Sequence, residues 1–145
     1  MKIGVIGNGY VGGAIAHGFS PASTGTCEVK VHDIIPERSL NTLEDTVNDS
    51  DFVFVSVPTP MNKNGSISLK LIDDAFKQIN GVNRRSDNII ILKSTVIPGS
   101  TEKLQEKFPN LNIVFNPEFL TEKSARLDFI NQTRIVLGGD KIHTA

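Results

Sequence analysis

The sequence contains one cysteine, Cys27, and no tryptophan. A lone thiol excludes an internal disulfide and a four-cysteine zinc site, and it points to a reducing compartment. Neither sign of charge is in excess: fifteen Lys and Arg stand against sixteen Asp and Glu, for a net charge of −1. That balance argues against nucleic-acid or membrane-surface binding, which needs one sign concentrated on one face. No apolar run approaches the roughly 18 residues that cross a bilayer. The start at Met1 lacks the basic, apolar and cleavage regions of a secretion signal, so the expectation is a cytoplasmic protein. Repeats, low-complexity tracts and proline-rich linkers are missing, and no grouping of residues has metal-ligand spacing. What remains is a chain of 145 residues with ordinary globular composition. It reads as one domain over residues 1–145, long enough to bury a real core.

The pattern that recurs is a short apolar run followed by a helix-length segment. Residues 2–6 are apolar on both strand faces, as in a parallel sheet covered by helices. Val11, Ala14, Ile15, Gly18 and Phe19 then repeat at helical spacing. A second strand is expected at 28–32, with a short helix opened by Pro36 and a weak helix over 39–48. The third strand spans 51–57 and is stopped by Pro58 and Pro60. Asn64-Gly65 marks a turn before the stripe Leu69, Ile72, Ala75, Phe76 and Ile79. A fourth strand covers 88–92, and Ser100 or Thr101 caps the helix carrying Leu104 and Phe108. A fifth strand lies at 112–115 and a sixth at 134–137, closed by Gly138-Gly139. Alternating strands and helices predict an α/β protein with a doubly wound parallel sheet (the Rossmann fold) of six strands. Helices cover both faces, and the usual strand order is 3-2-1-4-5-6.

The first strand runs into Gly7-Asn8-Gly9-Tyr10-Val11-Gly12. Its first glycine permits a tight turn, the second lets backbone approach a pyrophosphate, and the third lets helix and strand pack closely. The helix that follows offers free N–H groups and the positive end of its dipole to phosphates. Asp33 ends the second strand, where a carboxylate accepts hydrogen bonds from ribose hydroxyls and repels the extra phosphate of NADP. NAD is therefore the expected cofactor, with Arg38 nearby as the group that could accommodate a 2′-phosphate.

Ligands of such sheets sit beyond the carboxyl ends of the strands. Three segments stand there: Val57-Pro58-Thr59-Pro60, Lys93-Ser94-Thr95-Val96, and Asn116-Pro117-Glu118-Phe119-Leu120 with Glu122 beyond. Hydroxyls and carboxylates converging at one sheet edge can position a water or a hydroxyl for proton transfer.

Together these segments resemble the N-terminal, NAD-binding domain of the UDP-glucose/GDP-mannose 6-dehydrogenase family. The matching stretches are 7–12, 57–60, Lys-Ser-Thr-Val-Ile-Pro-Gly at 93–99, Asn-Pro-Glu-Phe-Leu at 116–120, Ala125, Asp128, and Arg-Ile-Val-Leu-Gly at 134–138. The family oxidises the C6 hydroxyl of a nucleotide sugar to a carboxylate, reduces two NAD, and passes through a thioester on a cysteine. The resemblance implies that Gly7, Asn8, Gly9, Tyr10, Val11, Gly12, Asp33 and Arg38 hold the adenosine half of NAD. Val57, Pro58, Thr59, Pro60, Ser94, Thr95 and Val96 would line the nicotinamide half. Thr95 would place the water or substrate oxygen, and Glu118 would be the acid/base for thioester hydrolysis. Glu122 would meet the carboxamide, while Glu118, Phe119, Leu120 and Glu122 would touch the sugar, UDP-glucose being the expected substrate. A homodimer would form through a middle domain that lies outside this chain.

The family's nucleophilic cysteine and its partner lysine also belong downstream, so the chain alone is expected to bind NAD without turnover. Cys27, in a loop with Thr24, Gly25 and Thr26, reads as a partly exposed structural thiol. The segment from Asp33 to Asp51 is shorter than the family's usual helical insert, and Lys123 stands where a glycine is common. His17 and His32 read as surface residues, Arg84-Arg85 as a solvated turn, and Lys93 as a strand-end lysine whose ammonium reaches water. Two other functions fit the same pattern: an NAD-sensing regulatory domain, and the cofactor domain of another β-hydroxyacid-type dehydrogenase.

Overall fold

The computed structural model describes every residue except Thr24. Its strands are β1 (Lys2–Ile6), β2 (Glu28–His32), β3 (Phe52–Val55), β4 (Ile89–Leu92), β5 (Asn112–Phe115) and β6 (Gly138–Gly139). The helices are α1 (Tyr10–Phe19), α2 (Leu43–Asn48), α3 (Lys70–Val82), α4 (Ser100–Lys107), α5 (Ala125–Asn131) and α6 (Lys141–Thr144), with a 3-10 turn at Pro36–Arg38. One sheet holds all six strands in the order β2-β1-β3-β4-β5-β6. The first five strands pair in parallel, and β6 runs antiparallel to β5.

The fold is the expected doubly wound α/β sheet, with three corrections. The order 3-2-1-4-5-6 is not formed, because only the 3-10 turn and six-residue α2 connect β2 to β3. That length leaves no room for a strand outside β2, so β2 is an edge and the order reverses between β1 and β3. The sixth strand is not at 134–137. Ile135, Val136 and Leu137 are exposed, and only Gly138 and Gly139 pair with β5. Neither Ser100 nor Thr101 caps α4. Gly99 does so in a left-handed conformation, and the Ser100 hydroxyl donates to the Ile97 carbonyl at 2.7 Å.

Alternation along the strands feeds two cores. Val53, Val55, Ile90 and Leu92 face Ile72, Phe76 and Ile79 of α3 and Leu104 of α4. Ile3, Val5, Phe54 and Ile91 face Ile15 of α1, with Phe19 and Phe129 packed against them. The Phe19 ring meets Phe54 at 5.7 Å and Phe129 edge-on at 5.5 Å. Each fully buried side chain of this kind contributes about 1.5–3 kcal/mol. Gly4 is needed where α2 crosses β1, since a Cβ there would lie 2.6 Å from the Thr46 carbonyl oxygen.

Cys27 is buried rather than partly exposed. The loop before β2 folds back so that the Cys27 N–H donates to the Phe19 carbonyl at 3.1 Å, drawing the thiol into the α1-side core. Its neighbour Thr24 lies outside the described residues. The outer edge of β2 is held by the chain that follows it. Leu40 and Asn41 donate their N–H groups to the Val31 carbonyl, and Asn41 Oδ1 accepts the Val31 N–H at 2.9 Å. Lys30 pairs with Asp49 of the segment after α2.

Candidate functional site

The glycine turn joins β1 to α1 at the point where strand order reverses. Gly7 has φ +91, and its N–H donates to the His32 carbonyl at 2.9 Å. That backbone region is open to glycine and strained for other residues. Gly12 is there for packing: a Cβ on it would stand 1.8 Å from the Gly7 carbonyl oxygen. Gly9 is different, because a Cβ there would meet nothing within 4 Å. The space above Gly9 is open, and α1 begins at that residue with no side-chain cap and no acidic residue in its first turn. An anion entering it meets N–H groups and a helix dipole, with no acidic residue in the first helical turn.

Asp33 closes one side of this turn. It is 8% exposed. Its Oδ2 accepts the Asn8 N–H at 2.6 Å and its Oδ1 accepts the Ile35 N–H at 2.8 Å. Asn8 Nδ2 donates to the Arg38 carbonyl at 2.8 Å, so Arg38 serves the turn through its backbone while its side chain is exposed. A cavity of about 560 Å³ opens beside Asp33, walled by Gly7, Ile34, Val57, Pro58 and Leu71 of α3. His32 lines it too and is half-buried rather than on the surface, with Nδ1 3.2 Å from both Ser39 Oγ and the Asn41 carbonyl oxygen.

A second cleft, of about 270 Å³, lies on the other side of the glycine turn. Gly9, Tyr10 and Val11 form one wall, Ser56 to Thr59 after β3 the next, Lys93 to Thr95 after β4 the third, and Glu118 after β5 the last. Ser94 Oγ donates to the Val57 carbonyl at 2.6 Å and ties two of these walls. Thr95 is exposed at the rim, and Glu118 is half-buried with Oε2 accepting the Leu120 N–H at 3.1 Å.

Eleven of the expected site residues line these two clefts, and Asn8, Gly12, Arg38, Pro60, Val96, Phe119, Leu120 and Glu122 do not. Pro60 lies outside both and is exposed. Val96 turns toward the α3/α4 core. Glu122 lines a separate cleft with Gly9, Tyr10 and Gly13. Phe119 is exposed, with the Arg134 guanidinium 5.2 Å from its ring centre. A cavity of about 1070 Å³ lies elsewhere, between α4 and the β5–β6 end of the sheet, and contains neither Thr95 nor Glu118.

Two wall residues were not anticipated as such. Ser56 Oγ is buried and has no hydrogen-bond partner among the described residues. Lys93 does not reach water: it is 2% exposed, and its Nζ donates to Asn116 Oδ1 at 2.9 Å. Leu92 and Phe115 are paired in register, so Lys93 and Asn116 are the next pair and leave the sheet on one face. Burial pushes the Lys93 ammonium below its ordinary pKa, and the Glu118 charge partly restores it. Asn116 Nδ2 donates onward to the Val136 carbonyl at 2.8 Å.

A glycine turn, an uncapped helix and a buried carboxylate at the end of β2 define a dinucleotide-binding domain. Residues 30–145 match the family described as "UDP-glucose/GDP-mannose dehydrogenase family, NAD binding domain". A UDP-glucose 6-dehydrogenase of Campylobacter jejuni is 30% identical over 98% of this chain and 42% of its own length. UDP-glucose 6-dehydrogenase AglM of Haloferax volcanii is also 30% identical, over 95% of this chain and 41% of its own length. A UDP-glucose dehydrogenase structure from Pyrobaculum islandicum superposes with TM-score 0.80 at 26% identity, covering 99% of this chain and 42% of that one. The chain thus belongs to the UDP-glucose/GDP-mannose dehydrogenase family and is its NAD-binding domain. It spans about two-fifths of the length of these relatives.

Proposed function

We propose that this chain is the cofactor half of a nucleotide-sugar 6-dehydrogenase acting on UDP-glucose. The observation that supports this most is the cleft in which the glycine turn, Thr95 and Glu118 face one another. The open space above Gly9, the uncapped helix and the unpartnered Ser56 hydroxyl fit an NAD molecule laid across the sheet edge. Bound NAD supplies the hydride acceptor. The chain's residues do the rest. Backbone from Gly7 to Gly12 binds the pyrophosphate, and Asp33 accepts from the ribose and repels a 2′-phosphate. Val57, Pro58, Thr59 and Ser94 exclude water from the nicotinamide end. Thr95 and Glu118 orient the water that hydrolyses a thioester formed on the remainder of the enzyme, and Glu118 takes its proton. Phe119, Leu120 and Glu122 lie toward the sugar.

In this reading the whole protein is a cytoplasmic homodimer; no helix of the described residues is long and apolar enough to cross a membrane. Fluorescence titration of the 145-residue chain with NADH and NADPH tests the cofactor half. Preference for NADH is expected, and equal binding of the two would remove Asp33 from the argument. Turnover of UDP-glucose with NAD+ by the longer protein tests the activity. Binding without turnover there would favour a sensor instead.

A further inference from the structure

Lys93 is a charge in an unusual place. It is buried at the floor of the cleft assigned above to nicotinamide, and among the described residues its one hydrogen-bond acceptor is the neutral Asn116 amide oxygen. No salt bridge among the described residues engages it. The cleft is lined by one other formal charge, Glu118, whose carboxylate is held back by the Leu120 N–H; Tyr10 is the remaining titratable wall residue. A buried ammonium of this kind is felt strongly by whatever occupies the cleft, because little water screens it.

We propose that Lys93 sets the preference of this site between the two redox forms of its cofactor. The oxidised nicotinamide ring carries a positive charge and the reduced ring carries none. Lys93 therefore disfavours NAD+ relative to NADH, and Glu118 opposes it from the facing wall. A site that holds the reduced form better pulls the bound couple toward reduction, the direction an alcohol oxidation needs. Lys93 is a specificity-determining residue here, separate from the water-orienting work assigned to Thr95 and Glu118. The inference rests on the cofactor reading of the cleft.

The test is calorimetric titration of the chain with NAD+ and with NADH at fixed pH and ionic strength. Lys93→Met should lower the ratio Kd(NAD+)/Kd(NADH) by about tenfold, chiefly through tighter NAD+. Glu118→Gln should move the ratio the opposite way. A role confined to bridging β4 and β5 would weaken both forms alike, and an unchanged ratio in folded Lys93→Met overturns the inference. If that variant does not fold, a protein that keeps Lys93 decides. With Tyr10→Phe as background, the ratio should fall as alkaline pH discharges Lys93, and a flat profile overturns the inference. Failure of both forms to bind the unmodified chain would overturn the cofactor reading as well. A bound pair whose ratio ignores Lys93 overturns this inference alone.

Discussion

The two ends of the proposed cofactor site, around Asp33 for adenosine and around Glu118 for nicotinamide, are built by different means. Around Asp33, the carboxylate and the polar groups of the glycine turn are fixed by bonds made within one stretch of chain, from Gly7 to Asn41. Around Glu118, the walls come from the glycine turn and the ends of three further strands, and polar groups are left open: Ser56 without a partner among the described residues, Thr95 at the rim, Lys93 with one neutral acceptor. Beyond Glu118 the chain exposes Phe119, Leu127, Ile135 and Leu137. Recognition of the nucleotide is therefore preorganised locally. The other end is assembled across the sheet.

The sharpest way to test that contrast is within the turn itself. Gly9→Val should abolish detectable NADH binding, a loss of at least about a hundredfold. The melting temperature should stay close to that of the parent, because the new side chain enters open space. Gly12→Ala should lose binding and also destabilise the fold by about 1–3 kcal/mol, since its Cβ collides with the Gly7 carbonyl. Thermal melts beside titrations separate the two, and a folded, NADH-binding Gly9→Val protein would remove the phosphate site. At the other end, Glu118→Gln in the longer enzyme should cut turnover by about a hundredfold. It should leave the Kd for NADH within about threefold, because the reduced ring is neutral.

Asp33→Ala comes next in size. It strands the Asn8 and Ile35 N–H groups, at a cost of about 1–3 kcal/mol, and should bring the NADH and NADPH affinities closer together. The smallest effect is expected at Asp128, on the open side. The Thr121 N–H and the Thr121 and Ser124 hydroxyls hold its carboxyl below the ordinary carboxylate range. A depressed folded value means that this stabilisation is present above the unfolded pKa and is lost as pH falls through the folded one. The protection of the Thr121 amide, its exchange rate taken against the unstructured rate at the same pH, should therefore fall in acid. In Asp128→Asn the protection should be lower at neutral pH and respond less to acid.

Sequence legibility followed the same divide. The turn 7–12, Asp33 and strand 112–115 were readable because short-range spacing specifies them, and β5 occupies those four residues. Strand order was not, because it depends on whether the β2–β3 connection is long enough to add an outer strand. Burial of Lys93 was hidden for a related reason. Nothing near it in sequence announces a partner, and Asn116 becomes its neighbour only once β4 and β5 are in register. The apolar run 134–137 looked like a strand from composition, yet its side chains find no core among the described residues. The polar neighbours of Cys27 carry no sign of its burial, which follows from the bond between its N–H and the Phe19 carbonyl.

The missing outer strand leaves β2 as a free margin of the sheet, and such margins invite edge-to-edge polymerisation. Asn41 answers that hazard. Its amide oxygen and N–H, with the Leu40 N–H, occupy the Val31 groups that a visiting strand would need. Bonding groups on a strand point outward only at alternate residues, so an intruder would find the pair at Val29 and little else. A two-residue segment thus works as a stopper, closing the short version of this fold to fibril-like stacking.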